Sequence, residues 1–167
     1  HSSILHRGVS AVMEAAKLVI WANEVNAEGA AGQPGPVDAR FDPPWTTAHV
    51  GRIKGGTADN ITARDCQFTM ALRAVPSEPV SGWRDRYLAR VAALEAEMQA
   101  VHPEARIDTA IRFDVPGLVP EDEGAAEELV RRITGQNDAE VVSYATEAGQ
   151  FQQAGISAVI IGPGNIA

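Results

Sequence analysis

Four histidines, one cysteine and scattered carboxylates are the side chains here best suited to metal binding or nucleophilic chemistry. The histidines are His1, His6, His49 and His102. No two are spaced four apart, as on a zinc-binding helix, and none opens a compact His-x-Asp. These residues therefore predict no complete metal site within the chain. Serine catalysis is no better supported, because there is no Gly-x-Ser-x-Gly elbow. Thr57-Ala58-Asp59 follows Gly55-Gly56, but no helix is expected there to cradle a phosphate. Cys66 stands in an alternating apolar run and reads as a small core residue. A lone cysteine forms no intrachain disulfide, which fits a reducing cytoplasm.

Three polar residues stand out by context. His1 opens His1-Ser2-Ser3, shortly before Gly8-Val9 and a helix. Asn60 follows the Gly55-Gly56 turn, where a local hydrogen bond is the ordinary role of an asparagine. Arg73 lies on the polar face of a strand, where an exposed arginine is common. Taken singly, each has an unremarkable structural explanation.

The elements that carry them follow from periodicity. Val9 to about Val25 predicts a helix, with Val12, Met13, Ala16, Val19 and Ile20 at helical spacing. Gly29 to Pro44 is rich in Gly, Pro and Ala and reads as a loop. Trp45 to Lys54 is a strand candidate. Asn60 to Val75 is the next strand region, in which Cys66, Phe68, Met70, Leu72 and Ala74 alternate with Gln67, Thr69, Ala71 and Arg73. The two runs predict an antiparallel hairpin.

Ser81 to Val101 is the clearest helix, with Trp83, Tyr87, Val91, Leu94, Met98 and Val101 in one stripe and Ser81 as N-cap. Ala105 to Phe113 predicts a strand with Ile107, Thr109, Ile111 and Phe113 on one face. Helix, strand, strand, helix, strand implies a sheet with both helices on one side. One further strand ahead of His1 would complete the ferredoxin-like order, so the expectation is an α+β domain lacking its first strand. Pro116 to Pro120 is a linker. After it, a helix over Gly124 to Gly135, a strand over Val141 to Tyr144, helical turns over Glu147 to Ala154 and a strand over Ser157 to Ile161 predict a piece of an α/β sheet. The chain begins without Met and stops in a loop-like Gly-Pro-Gly run, so both ends read as cut.

Hydrophobic residues make up 45% of the 167 positions, enough for a core, while aromatics at 5% require it to be mostly aliphatic. The net charge of −8 argues against nucleic acid or an anionic membrane as a partner, since phosphate binding needs a basic face. No apolar stretch reaches bilayer length.

One set of short runs carries more than any residue alone. It comprises His1-Ser2-Ser3 with Gly8-Val9, Phe41-Asp42-Pro43-Pro44-Trp45-Thr46-Thr47, His49-Val50-Gly51, and Gly55-Gly56-Thr57-Ala58-Asp59-Asn60-Ile61. Arg64-Asp65-Cys66, Leu72-Arg73-Ala74-Val75-Pro76, Thr146-Glu147-Ala148-Gly149-Gln150-Phe151 and Gly162-Pro163-Gly164 follow. In order and spacing this set resembles the dinuclear-metal amidohydrolases, the family of acetylornithine deacetylase, succinyl-diaminopimelate desuccinylase and the aminoacylases. The Phe-Asp-Pro-Pro and Thr-Glu-Ala-Gly runs lean toward the acetylornithine deacetylase branch.

The resemblance implies a ferredoxin-like dimerisation lid over residues 1–115 and a C-terminal part of a catalytic domain over 116–167. It implies hydrolysis of an N-acyl amino acid such as N-acetylornithine by a homodimer that uses zinc or cobalt. His1 would reach the partner subunit's site and stabilise the oxyanion. Asn60 and Arg73 would help bind the substrate carboxylate, a task suited to an arginine fork. Gly149 would lie in a loop lining the cleft. The family's metal ligands fall upstream of His1 and just beyond Gly-Pro-Gly, so none is assigned here. Thr62-Ala63 departs from the Val-Pro that the family usually has after the lid asparagine.

Overall fold

The computed structural model describes residues 2–121 and 123–162. A kinked 3-10 segment, Ser2–Arg7, leads into helix α1, Ala11–Ala31. Strand β1, Thr47–Gly55, and strand β2, Cys66–Arg73, follow, then helix α2, Val80–Val101. Two shorter helices come last, α3 over Ala125–Thr134 and α4 over Ala148–Gln153.

The expected hairpin forms. β1 and β2 pair antiparallel from Thr47↔Arg73 to Gly55↔Cys66, with an irregularity between Val50 and Arg52. The alternation read from β2 decides which face is covered: Phe68, Met70 and Leu72 pack toward the helices, while Gln67, Thr69, Ala71 and Arg73 are exposed. Both helices lie on that one face, the α+β layering expected from the element order.

The core has two patches. Trp21, Ala22, Val25, Ala48 and Trp83 form one, flanked by Val50, Met70, Leu72 and Tyr87. Leu18, Val91, Leu94 and Met98 form the other, flanked by Phe68, Tyr87, Ala105 and Ile107. Trp21 and Tyr87 join them, their ring centroids 5.6 Å apart in a tilted pair. Leu18 and Leu94 are essentially sealed from solvent. Burial of such a side chain stabilises by roughly 1.5–3 kcal/mol.

Three features depart from expectation. First, α1 continues past Val25 and through Gly29, which the Gly- and Ala-rich composition had assigned to a loop. Gly29 serves packing there: a Cβ on it would lie 2.6 Å from Cδ1 of Trp45. The helix thus makes room for the indole that precedes β1. Second, the N-cap of α2 is Pro79 rather than Ser81, and it makes no side-chain capping bond.

Third, the strands expected over 105–113, 141–144 and 157–161 have no ladder among the described residues. A strand needs a main-chain partner, and sequence alternation alone does not supply one. Ala105 and Ile107 do pack on the second core patch. The Ile107 amide, however, donates to Glu95 Oε1 at 2.7 Å instead of to a strand. The α/β alternation expected after Pro116 is therefore present only as its helices, α3 and α4.

The linker is stapled to those helices by side chains. Gln152 Oε1 accepts from the Val119 amide at 2.9 Å, and its Nε2 donates to the Val119 carbonyl at 2.7 Å. Ser157 Oγ donates to Glu121 Oε2 at 2.6 Å and accepts from the Ala126 amide at 3.0 Å. Gln152 Nε2 also donates to Glu121 Oε1 at 3.2 Å, and the hydrogen bonds from Ser157 first and Gln152 second hold the Glu121 carboxyl below its ordinary value of 4.5.

Candidate substrate-binding cleft

A cleft of about 2670 Å³ opens along β2. One wall is the whole strand and its flanks, from Arg64 to Pro76; the facing wall is the extended run from Glu104 to Glu121. Segments 138–146 and 158–162 close it further. Leu18, Tyr87 and Met98 give the cleft an apolar floor.

Arg73 lines this cleft as the final residue of β2. No hydrogen bond or ion pair engages its guanidinium among the described residues. A planar five-donor fork left free in a cleft is suited to a carboxylate.

The main chain just beyond Arg73 is tied by a polar knot that sequence reasoning missed. Thr46 Oγ1 accepts from the Val75 amide at 3.2 Å and donates to Glu78 Oε2 at 2.6 Å. The same Glu78 oxygen accepts from Trp83 Nε1 at 2.7 Å. Asp38 Oδ1 accepts from the Ser77 amide at 3.2 Å, and Asp38 Oδ2 from Ser77 Oγ. Thr46 and Asp38 are buried, at 1% and 4% exposure. A polar group that deep requires partners, and each has them. Nothing in the local sequence marks these residues, because their partners lie tens of positions away.

Asn60 stands elsewhere. It lies in the exposed loop between the strands, beyond the Gly55↔Cys66 pair, and does not line the cleft. The Ile61 amide bonds to the Ala58 carbonyl at 3.2 Å, so Asn60 sits within a turn. The start of α1 is pinned to this same loop, where the Ala11 amide donates to the Ala63 carbonyl at 2.9 Å. The hairpin therefore keeps Asn60 and Arg73 at opposite ends.

Gly149 is buried in α4 against the linker. A Cβ on it would run into the Pro116 carbonyl oxygen and lie 2.8 Å from that of Gly117. It contacts the back of the cleft wall rather than the cleft itself, since Pro116 and Gly117 line the opening and Gly149 does not. His1 lies outside the described residues. Cys66 is half-buried, and burial pushes its thiol up, which keeps it protonated and unreactive at neutral pH.

No three His, Cys, Asp or Glu side chains among the described residues come together as a metal site.

Residues 1–99 match the family model described as the peptidase dimerisation domain of the M20 group. The chain belongs to the M20 peptidase dimerisation family. Its fold is that family's α+β, ferredoxin-like lid, here with a two-stranded antiparallel sheet and its helices. Among curated proteins, an acetylornithine deacetylase of Myxococcus xanthus is 31% identical over 137 residues, which is 78% of this chain and 33% of that protein. A second acetylornithine deacetylase, from Erwinia tasmaniensis, is 30% identical over 134 residues, 77% of this chain and 32% of that protein. The M20 chain thus spans about a third of the length of these relatives. No solved structure matches it. No described helix is long and apolar enough to cross a membrane.

Proposed function

We propose that this chain is the dimerisation lid, residues 1–115, and a following part, 116–167, of a deacetylase that hydrolyses the amide of an N-acyl amino acid. N-acetylornithine, yielding ornithine and acetate, is the substrate that the names of the two relatives point to. The observation that carries the reading is Arg73, which ends β2 at the cleft and whose side chain has no partner among the described residues, in a lid with deacetylase relatives. Such a fork receives the α-carboxylate that every N-acyl amino acid presents.

In this reading Arg73 orients the substrate and Asn60 adds a second polar contact. Because one hairpin holds them at opposite ends, the two reach one substrate from different protomers, and the homodimer is required for binding. His1 precedes the helix whose first amide is pinned to the Asn60 loop. We assign it the donation of a hydrogen bond to the developing oxyanion of the partner's substrate. Gly149 lets α4 close on the linker and so shapes the cleft wall. The zinc or cobalt of the family would polarise the amide carbonyl and supply the attacking water. No group of three His, Cys, Asp or Glu side chains among the described residues would hold it.

The test is a substrate panel assayed with the whole protein at the length of its relatives. N-acetylornithine, succinyl-diaminopimelate and simple dipeptides are compared by kcat/KM. The reading expects N-acetylornithine or a close N-acetyl amino acid to lead. Preference for the succinyl substrate or for dipeptides would move the assignment to another branch of the family.

A further inference from the structure

We propose that Thr46, held by Glu78, is a positioning residue for Arg73 that sets where the guanidinium meets the substrate carboxylate. This rests on the reading of Arg73 given above.

The argument begins with where Arg73 stands. It is the last residue of β2, and its ladder partner Thr47 is the first of β1. Strand ends open more readily than strand centres, because fewer hydrogen bonds hold them. An arginine there, on a long flexible stem, would sample many positions and bind a carboxylate poorly, since ordering it costs entropy.

The structure counters this with side chains. The Val75 amide, two residues beyond Arg73, has no strand acceptor and takes Thr46 Oγ1 instead, at 3.2 Å. Thr46 comes immediately before Arg73's ladder partner, so the hydroxyl extends the pairing past the end of the sheet. Its orientation is set in turn by its own donation to Glu78 Oε2 at 2.6 Å. Glu78 is anchored by Trp83 Nε1 at 2.7 Å, on the first turns of α2. The main chain that carries Arg73 is thereby tied to the helical layer, whose buried side chains move little. Thr46 reaches Arg73 through the backbone alone and does not touch the substrate.

Thr46→Val removes the hydroxyl and keeps the shape, whereas Thr46→Ser keeps the hydroxyl. Both are assayed in the whole protein, with an N-acetyl amino acid and with its carboxamide analogue, which lacks the carboxylate. Thr46→Val is expected to raise KM for the carboxylate substrate about tenfold with kcat within about twofold, because binding orientation rather than chemistry is lost. KM for the carboxamide stays at its wild-type value, and Thr46→Ser restores the carboxylate KM. A purely structural role would shift both substrates together, and that result, or an unchanged KM, overturns the proposal. If Thr46→Val does not fold, Glu78→Met, which can accept no hydrogen bond from Thr46, gives the second reading: a smaller rise in the carboxylate KM alone supports the proposal, and no rise overturns it. An active wild type with an unaffected Thr46→Val refutes the positioning role alone. A wild type that hydrolyses no N-acyl amino acid refutes the functional reading first and the positioning role with it.

Discussion

Arg73 closes β2 while Asn60 sits in the loop that precedes it, so the strand's other seven residues lie between them. At about 3.3 Å of rise per residue the strand alone separates them by roughly 23 Å. An acetylated amino acid is far shorter than that. Two side chains so placed cannot grip one such molecule from a single protomer. If both serve one substrate, a second copy of the chain must bring one of them, which gives the dimerisation lid a direct chemical purpose. The lid then completes the binding site as well as joining the subunits.

Two glycines are expected to resist enlargement for steric reasons. Gly149→Ala would press a methyl group against the carbonyl oxygens of Pro116 and Gly117. Gly29→Ala would press one against the indole of Trp45, 2.6 Å from Cδ1. Alanine gains about 1 kcal/mol of helix propensity over glycine. Overpacking costs typically about 1–3 kcal/mol, so the net effect is destabilising at both sites. Thermal unfolding checks this: both variants are expected to melt below the wild type. A higher melting temperature for Gly149→Ala would contradict the close linker contact.

The linker staple is expected to loosen in acid. Hydrogen bonds from Ser157 and Gln152 lower the folded value of Glu121 below its ordinary 4.5. A depressed carboxyl value contributes stability in full above the unfolded value and loses it as pH falls through the folded one. Hydrogen exchange at the Ala126 amide, which bonds Ser157 Oγ, should therefore be protected from opening above the ordinary carboxyl value of 4.5 and lose that protection as pH falls below it, beyond the intrinsic pH dependence of exchange. Glu121→Gln should remove that pH dependence. The same acid response in the variant would show that another group is responsible.

How much of this was legible in the sequence differs from element to element. The strict alternation from Cys66 to Ala74 placed β2, its buried face and the exposure of Arg73, because a period of two permits one assignment. The stripe from Trp83 to Met98 placed α2 to within a residue at its start. Gly29 misled, because composition carries no information about the tryptophan that packs on it. The run 105–113 misled for the opposite reason: its pattern is strand-like, yet pairing depends on a neighbouring edge that the pattern does not encode. The knot of Thr46, Glu78, Trp83, Asp38 and Ser77 was invisible because its bonds span up to 39 positions. Asn60 and Arg73 were picked out by resemblance, but only the register Thr47↔Arg73 and Gly55↔Cys66 places them at opposite ends of the hairpin.

Subunit mixing tests the two-protomer site most directly. Whole-protein Asn60→Ala and Arg73→Ala are each expected to lose about 10–100-fold in kcat/KM, the cost of deleting a hydrogen bond to a charged group. When the two are unfolded and refolded together in equal amounts, half of the dimers pair one variant with the other. Each such dimer holds one intact site and one doubly impaired site, so the mixture should recover roughly a quarter of wild-type activity. A mixture no more active than its parents would contradict the account, because it would mean that Asn60 and Arg73 serve the substrate from the same chain.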